Sequence, residues 1–469
     1  MKRIALVPIL VLLLSGVLWT QNSATLVILH TNDIHAQILP RDGVGGLAEL
    51  STLIKRQRGD LILDGGDIFT GSMLCDEFEG KPIIEILNKL NYRAIAFGNH
   101  EFDYGIPAFR ARAREAKFPI LSANIGPNFD EIKPYTIMTV NGLRVAVIGL
   151  TTENVMQDGH PANFKNVQVV KLADALSQVL PKVRPLSDVI VAVAHVSQNE
   201  QTSIAKAFPE IRLIISGHPH STFATSIGTT LIVQAGSRSE NLGKVTMRFN
   251  GKTVESMTSE MFPVRGVEPD PEIKAIIEPY ARTIATRAAE RLGEAEAELR
   301  SSSNQESALN NLLADAFRAH AKTQIALENT GGIRSHLRKG PITYADLFEV
   351  LPFKNTLVTM TLTGVQVKQV LGRRVSAISG LKVEWDLTKP TGQRLVSATL
   401  ADGSPIRDGD RYTVATNDFV AAGGDGFVEF LQGGNTADTS INLRDVLRSY
   451  FKDHPTVSAK LDGRVTVRR

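Results

Sequence analysis

The chain alternates short apolar segments with longer amphipathic ones, and this alternation limits the folds that are open to it. The apolar segments are short and rich in β-branched residues, which predicts buried strands at Thr25–His30, Leu61–Asp64, Ala94–Phe97, Asp188–Ala194 and Ile211–Ser216. Helical patterns accompany them at Gly46–Gln57, Pro82–Leu90, Ile106–Lys117 and Lys171–Val183. Strand–helix alternation of this kind predicts an α/β fold built from βαβ units.

A polar cluster follows each of the five predicted strands. The clusters are Thr31–His35, Gly66–Asp67, Gly98–Asp103, Ala194–His195 and Gly217–His220. In sheets built from βαβ units, ligands bind at the carboxyl ends of the strands. A single histidine at such a place is more often a turn or core residue than a ligand. Five clusters at equivalent places argue against that interpretation and predict one shared site.

The clusters offer carboxylate, carboxamide and imidazole groups but no thiolate. These groups suit divalent ions such as Mn²⁺, Fe²⁺, Co²⁺ or Zn²⁺. Seven candidate ligands are too many for one tetrahedral site, and they suit two ions that share a bridging carboxylate. Two neighbouring metal ions are a common device for the in-line hydrolysis of phosphate esters.

The Asn99–Asp103 segment combines two kinds of polar chemistry. Asn99 is an uncommon metal ligand, and Asp103 stands three residues after His100. A carboxylate that is hydrogen-bonded to an imidazole fixes the tautomer of the ring and raises its basicity. The alternative interpretation is a loop histidine whose hydrogen bonds are satisfied locally.

The other clusters are less specific when each is taken alone. Asp33 and His35 are two residues apart, a spacing that is common by chance. Asp67 follows two glycines, which allow a sharp turn, but a turn aspartate or a helix N-cap would look the same. His218 and His220 flank a proline, and this pattern after a strand is moderately specific.

Length and composition set the broad class of the protein. A chain of 469 residues is longer than one hydrophobic core ordinarily organises, which predicts two domains. The net charge of +3 does not indicate a groove for a nucleic-acid polymer or a basic membrane-binding face. The single cysteine, Cys75, excludes an intrachain disulfide and a cysteine-based zinc site.

The first 24 residues have the pattern of a targeting segment. Lys2 and Arg3 precede an almost wholly apolar run from Ile4 to Leu18, which is short for a membrane span. We therefore predict a signal peptide over residues 1–24 and a periplasmic or secreted protein. An uncleaved N-terminal membrane anchor is the alternative, since no clear small-x-small cleavage site follows the run.

The rest of the chain divides at a long helical pattern. We predict a first domain at residues 25–265, a connecting helix within 266–300 and a second domain at 301–469. Apolar residues fall on one face of the helical pattern between Glu272 and Leu299, and Pro279 predicts a kink or break in it. A coiled-coil partner helix is the alternative interpretation of this segment.

The motifs, taken in order, resemble those of the calcineurin-like metallophosphoesterases. Two later segments, Asn329–Arg334 and Gly423–Phe427, narrow the resemblance to the two-domain 5′-nucleotidase and UDP-sugar hydrolase family. The resemblance implies a layered β-sandwich flanked by helices, with a second, smaller α/β substrate domain joined by a helix. It covers the chain from about Ala24 to its end.

The resemblance also implies roles for individual residues. One metal ion is expected at Asp33, His35, Asp67 and His220, and the other at Asp67, Asn99, His195 and His218. His100 and Asp103 match the catalytic pair of the family. The residues expected to bind substrate are Asn329 and Arg334 for phosphate, Phe353 and Phe419 for the nucleobase, and Asp425 for ribose. From the sequence alone, core packing would be the simpler interpretation of the two phenylalanines.

The expected activity is that of a secreted two-metal phosphohydrolase, a 5′-nucleotidase that releases phosphate from nucleoside 5′-monophosphates. A 2′,3′-cyclic-nucleotide phosphodiesterase/3′-nucleotidase and a UDP-sugar pyrophosphatase are alternatives with the same metal site, and a catalytically silent nucleotide-binding protein is an alternative from another class. The chain departs from the family at Ser301–Gln305, where many relatives carry an arginine; the nearest candidate here is Arg300.

Overall fold

The computed structural model describes residues 23–126, 128–458 and 460–468. The predicted signal peptide or anchor lies outside this part, except for Ser23 and Ala24, which begin the first strand. Within the described residues, none of the helices has the length and apolar character that a membrane span requires.

The first half of the chain is rich in strands. In its described part they are β1 (Ser23–Thr31), β2 (Leu61–Asp64), β3 (Ala94–Ala96), β4 (Ile120–Leu121), β5 (Ile132–Lys133), β6 (Tyr135–Val140), β7 (Leu143–Thr151), β8 (Val189–His195), β9 (Ile211–Gly217), β10 (Thr222–Ile227), β11 (Thr230–Ala235), β12 (Asn241–Asn250) and β13 (Thr253–Pro263). All five predicted strands are present.

These strands form two sheets. Among the described residues, the first sheet has the order β13-β12-β1-β2-β3-β4-β5 and the second has the order β10-β11-β9-β8-β7-β6. The strands from β1 to β5 are parallel, as are β7, β8, β9 and β11. The strands that carry the five polar clusters are therefore divided between two sheets, three in the first and two in the second.

Helices flank the two sheets of the first half. They are α1 (Leu47–Gln57), α2 (Met73–Glu77), α3 (Lys81–Lys89), α4 (Ile106–Glu115), α5 (Val155–Asp158), α6 (Pro161–Phe164), α7 (Leu172–Val183), α8 (Gln198–Ala207) and α9 (Pro271–Ala288). The four predicted helices correspond to α1, α3, α4 and α7, with ends that differ by one or two residues.

The two sheets pack face to face around a core of apolar side chains from both. Leu63 of β2 and Val193 of β8 lie in this shared core and are fully buried. A second core lies between the first sheet and α1, α3 and α4, and a third lies between the second sheet and α7 and α8. The arrangement is the predicted layered β-sandwich flanked by helices.

A hairpin that the sequence analysis did not predict adds β6 and β7 to the second sheet. The two strands pair antiparallel, and their register closes at Val140 and Leu143. Asn141 and Gly142 form the turn with φ angles of 51° and 79°. Two residues with positive φ match the twist of the flanking strands, which is why Asn-Gly is favoured in such turns.

The connecting helix α9 is shorter than predicted. Its N-cap is Asp270, whose side chain accepts a hydrogen bond from the amide of Glu272, and the helix continues through Pro279 to Ala288. The predicted helical pattern to Leu299 is wrong beyond that point, because Arg291–Ala295 forms a strand that pairs with two strands of the second half. Sheet pairing there satisfies the backbone groups that a longer helix would have used.

The second half of the chain mixes strands and helices. Its described strands are β14 (Arg291–Ala295), β15 (Ile325–Asn329), β16 (Gly340–Thr343), β17 (Thr356–Thr363), β18 (Ser376–Ser379), β19 (Leu381–Asp386), β20 (Leu395–Leu400), β21 (Arg411–Asn417), β22 (Gly434–Asn442), β23 (Thr456–Val457) and β24 (Val465–Arg468). Its described helices are α10 (Ala308–Ala321), α11 (Tyr344–Val350), α12 (Gly364–Arg373), α13 (Asp418–Ala421) and α14 (Leu443–Asp453).

A central sheet organises the second half. In the part of the chain that the structure describes, its order is β18-β15-β21-β17-β22. One face packs on α10 and α14, and the other packs on α12 and on a small sheet that contains the fully buried Trp385. This is the second, smaller α/β unit that the resemblance implied.

We predict that His30 makes the fold sensitive to acid. His30 is fully buried in β1, neither ring nitrogen has a hydrogen-bond partner among the described residues, and burial lowers its pKa to about 3. An unfolded chain takes up a proton below about pH 6.5, whereas the folded chain resists it, so stability falls as the pH falls through this range. The slope attributable to His30 is about 1.4 kcal/mol per pH unit.

The measurement is urea unfolding of chelator-treated protein at pH 7.5 and pH 5. His30→Leu should lose less stability on acidification than the wild type, because the uncharged side chain cannot bind a proton. His320→Leu, at an exposed histidine of α10, is the matched control and should behave as the wild type. Equal acid sensitivity of His30→Leu and the wild type would contradict the prediction.

Candidate metal centre and substrate cavity

A cavity of about 690 Å³ lies where the carboxyl ends of the two sheets meet loops of the second half. From the first half, the predicted site residues that line it are Asp67, Asn99, His100, Asp103, His218 and His220. From the second half they are Asn329, Arg334, Phe353, Phe419 and Asp425. Asp33, His35 and His195 are buried beside this lining. The structure thus brings every predicted site residue to one place.

The first predicted ligand set is compact. The Nε2 atoms of His35 and His220 are 3.0 Å apart, and His220 Nε2 lies 3.3 Å from Asp33 Oδ1. Asp67 Oδ2 is 3.8 Å from His35 Nε2. The ligand atoms of Asp33, His35 and His220 all lie within 4.8 Å of one another, close enough for them to share an ion.

The second predicted set lies on the other side of Asp67. His195 Nε2 is 3.1 Å from Asp67 Oδ2 and 3.0 Å from Asn99 Oδ1. The ring of His218 contacts that of His195, with centroids 5.1 Å apart. Asp67 therefore stands between the two sets, where a carboxylate could bind both ions.

Two backbone carbonyls orient the histidines toward this centre. Nδ1 of His195 donates a hydrogen bond to the Gly65 carbonyl at 3.0 Å, and Nδ1 of His35 lies 3.3 Å from the Thr70 carbonyl. A ring that donates through Nδ1 presents a lone pair at Nε2 when it is neutral. Both Nε2 lone pairs then point at other acceptors, an arrangement that a cation would stabilise.

The pKa shifts of the histidines reflect the same concentration of acceptors. Burial lowers the pKa of His195, but the charge of Asp67 outweighs burial and raises it to about 10. Burial, with His195 nearby, lowers the pKa of His218 to about 4. Burial and His220 hold the pKa of His35 well below its usual value. His35 and His218 are therefore neutral near pH 7, as ligands of a divalent ion must be, whereas His195 would have to release a proton when an ion binds.

The backbone at the candidate ligands is strained. Positive φ angles occur at Asp33 (49°), His35 (45°), Asp67 (59°), His218 (84°) and His220 (56°). Residues other than glycine seldom adopt this region, and such conformations persist at functional sites where the surrounding structure imposes them.

Glu101 supports the loops that carry two of the candidate ligands. Its Oε1 accepts a hydrogen bond from the Ile68 amide at 2.9 Å, and its Oε2 accepts one from the Gly98 amide at 2.6 Å. The carboxylate is buried, and burial together with Asp67 raises its pKa well above the usual value. Glu101 thus ties the loop after β2 to the loop after β3, a role that its position next to His100 did not reveal.

The predicted catalytic pair is formed at the edge of the centre. His100 Nδ1 lies 2.7 Å from Asp103 Oδ2, and His100 Nε2 lies 4.0 Å from Asp67 Oδ2. Burial lowers the pKa of His100, but Asp103 and Asp67 outweigh burial and raise it. His100 also lies near enough to His35 and Asp67 to bind an ion together with them. Its Nε2 is farther from Asp67 Oδ2, however, than His195 Nε2 is, at 4.0 Å against 3.1 Å.

The predicted substrate residues lie on the opposite wall of the cavity. Arg334 Nη2 is 3.4 Å from His35 Nε2, which places a permanent charge next to the candidate metal centre. The ring of Phe353 stacks on His100 with centroids 5.3 Å apart. The ring of Phe419 packs against Gly424, where a Cβ atom would lie 2.5 Å from it. Both phenylalanines also line the cavity, so each has surface that a ligand could contact.

Asn417 organises three of these groups, and the sequence analysis gave it no role. Its Nδ2 donates to Asn329 Oδ1 and to Glu328 Oε1, each at 2.8 Å. Asn329 Nδ2 in turn donates to Asp425 Oδ2 at 2.8 Å. Asn417 also caps α13, the short helix that carries Phe419. The sequence feature that could have revealed this role is the position of Asn417 at the end of a strand, where an asparagine often caps the helix that follows.

Two further residues on this wall come from outside the predicted set. Arg374 Nη1 lies 3.3 Å from Asp425 Oδ1 at the cavity surface. His160, from the first half, lies 3.0 Å from Asp418 of the second half, and both line the cavity. By contrast, Arg300 forms an ion pair with Glu298 and is absent from the lining of the cavity, so it does not replace the arginine found in relatives.

Two family models match the chain. The model described as calcineurin-like phosphoesterase matches residues 26–222. The model described as 5′-nucleotidase, C-terminal domain, matches residues 283–432. Together the two matches cover most of the chain, and each falls on one of its two halves.

Curated relatives are similar to this chain over most of its length. The trifunctional nucleotide phosphoesterase protein YfkN of Bacillus subtilis is 28% identical over 513 residues, covering 94% of this chain and 35% of YfkN. The chain thus spans about a third of that relative's length. Protein UshA of Yersinia enterocolitica is 26% identical over 516 residues, covering 95% of this chain and 94% of UshA.

A solved structure matches the fold along nearly the whole chain. The crystal structure of a 5′-nucleotidase precursor from Thermus thermophilus superimposes with a TM-score of 0.89 at 28% identity, covering 95% of this chain and 100% of that one. The chain belongs to the family that joins a calcineurin-like phosphoesterase domain to a 5′-nucleotidase C-terminal domain, a family of metal-dependent phosphoric ester hydrolases.

Proposed function

We propose that this chain is a periplasmic or secreted two-metal phosphohydrolase that releases phosphate from nucleoside 5′-monophosphates. The observation that carries the proposal is the position of Asp67. Its carboxylate lies between His195 and His35, whose Nε2 atoms face it, and one cavity joins it to candidate phosphate-binding and base-stacking side chains of the second half. The N-terminal pattern of residues 1–24 supports the location.

We assign the candidate ligands to two ions that share Asp67. One ion would be held by Asp33, His35, Asp67 and His220, and the other by Asp67, Asn99, His195 and His218. Aspartate, asparagine and histidine accept Zn²⁺, Mn²⁺, Fe²⁺ or Co²⁺, so the types of ligand do not select one of these ions. When bound, two such ions lower the pKa of a water molecule and neutralise the oxygens of a phosphoryl group.

Three side chains of the protein would act on the phosphoryl group and its leaving oxygen. Asp103 holds the His100 ring through Nδ1, which leaves Nε2 to donate a proton or hydrogen bond to the leaving oxygen. Arg334 would bind the phosphoryl oxygens with a planar fork of N–H groups.

The second half would select the nucleoside. We assign Phe353 and Phe419 to stacking on the nucleobase, Asn329 to phosphate and Asp425 to ribose. Stacking tolerates any base, which predicts broad base specificity. This division of labour agrees with the proposed domains, a metal-binding domain at 25–265 and a nucleotide-binding domain at 301–469, with the connecting segment 266–300 between them.

The experiment that tests the proposal is an assay of phosphate release with several added metals. AMP should be hydrolysed faster than 2′,3′-cyclic nucleotides and UDP-glucose. Faster cleavage of a cyclic nucleotide or of UDP-glucose would support one of the alternative activities, which use the same metal site. Nucleotide binding without hydrolysis of any of these substrates would support a silent binding protein.

Asp67→Asn should lower bound metal and abolish hydrolysis together. The substitution removes the negative charge that we place between the two ions and leaves an amide of similar size. Metal content measured by elemental analysis, together with AMP turnover, checks this. Asp174→Asn, on the exposed face of α7, is the matched control and should retain both properties. Full metal content with normal turnover in Asp67→Asn would exclude the bridging role.

His100→Ala should retain both metal ions and lose about 10²- to 10⁴-fold in AMP turnover, the usual contribution of a positioned acid–base group. The reason is that the seven other side chains supply the ligands, whereas His100 faces the leaving oxygen. Metal content and kcat are the two measurements. Loss of one metal equivalent would instead make His100 a ligand, as its nearness to His35 and Asp67 would allow.

Phe419→Ala should raise KM for AMP by an amount equivalent to about 1–3 kcal/mol, the value of one stacking face. Hydrolysis of p-nitrophenyl phosphate, which lacks a nucleobase, should change little. Phe208→Ala, at a partly buried ring in the core beside the second sheet, controls for general destabilisation. If Phe419→Ala impairs both substrates equally, the ring is a packing residue.

A further inference from the structure

A second cavity adjoins the substrate cavity at Arg334. It has a volume of about 620 Å³, and its lining includes Arg41, Arg238, Arg265, Arg334 and His336. Arg334 lines both cavities. The second cavity contains none of the predicted metal ligands or base-stacking residues, so the proposed function gives it no role.

Arg238 is the unusual residue of this cavity. Its Nη2 donates a hydrogen bond to the carbonyl oxygen of Arg334 at 2.7 Å. Within the described residues, its guanidinium has no other protein acceptor and no carboxylate within 4.0 Å. Burial, with Arg334 and Arg41 nearby, lowers the pKa of Arg238 to about 10. A largely buried cation without a counter-ion is costly, and proteins normally pair such groups.

The neighbouring carboxylates compensate this cost only in part, because Glu349 and Glu240 raise the pKa of Arg238 less than burial and the two nearby arginines lower it. Arg41 lies 3.1 Å from Glu349 and 3.9 Å from Asp42, and Asp42 is also paired with Arg338 at 2.9 Å. Glu240 lines the cavity without forming an ion pair in the described part of the chain. Arg334 likewise has no carboxylate within ion-pair distance among the described residues. Two guanidinium groups without a carboxylate partner in the described part of the chain, and a third, Arg41, that has two, therefore line a space open to solvent.

We infer that this second cavity binds a tetrahedral oxyanion, inorganic phosphate, between Arg238, Arg41 and Arg334. Guanidinium groups present pairs of N–H donors at the spacing of phosphate oxygens, and each such hydrogen bond is strengthened by charge. Arg334 borders both cavities. Phosphate that leaves the metal centre past Arg334 would therefore reach the second site before bulk solvent. Its origin as reaction product rests on the proposed function, whereas the binding site itself does not.

The test is equilibrium dialysis of radiolabelled inorganic phosphate against the full-length protein. The metal-loaded protein should bind two equivalents and the chelator-treated protein one, because none of the candidate metal ligands lines the second cavity. Arg238→Met should weaken the metal-independent equivalent by about 10- to 100-fold, as expected for lost charge-assisted hydrogen bonds. The equivalent at the metal centre should persist in that variant, which shows that the protein is folded.

Two further variants make the result specific. Arg41→Met should also weaken the metal-independent equivalent, whereas Arg184→Met removes a surface arginine paired with Glu210 and should leave it unchanged. The inference would be overturned if the wild type showed no metal-independent binding, or if Arg238→Met bound this equivalent as tightly as the wild type does. Failure to hydrolyse AMP while the metal-independent equivalent remains would refute only the proposed function.

Discussion

The hydrogen bond from His195 to the Gly65 carbonyl joins the two sheets at the level of the site. It places a residue from the end of β8 against the loop that follows β2, and it fixes which nitrogen of the ring faces Asp67. The contact needs two glycines. A Cβ atom at Gly66 would lie 3.0 Å from His195 Nδ1, and one at Gly217 would lie 2.6 Å from the Gly65 carbonyl oxygen. The candidate metal centre therefore depends on how closely the sheets approach there.

The strands that carry the site were predictable, because each is a short run of apolar residues that is buried on both faces of its sheet. Val189–His195 and Ile211–Gly217 differ from the predicted strands by one residue at the ends. The Tyr135–Thr151 hairpin was missed although Asn141-Gly142 is a strong turn signal. The strand Thr253–Pro263 was not predicted, because most of its solvent-exposed residues are polar and its apolar pattern is weak. The end of α9 was misplaced because strand pairing in the second half overrides helical periodicity.

The candidate site was predictable where its residues follow strands and was missed where it depends on contacts across the fold. Local sequence places Asp33, Asp67 and His195 at strand ends, and the geometry brings them together. It does not reveal that Arg238 touches Arg334, since 96 residues separate them. Nor does it show that the strands with the polar clusters belong to two sheets. That division depends on side-chain packing between the sheets, which no short segment encodes.

The hydrogen-bond chain through Asn417 has a consequence for how the proposed recognition of substrate can change. One amide positions Asn329, and through it Asp425, while its helix cap sets the start of the turn that carries Phe419. Groups that share a partner do not contribute independently. Substitutions at Asn329 and Asp425 would therefore combine non-additively with one at Asn417. If these residues bind the nucleoside as proposed, a new preference for sugar or base would have to evolve by concerted replacement of this whole network.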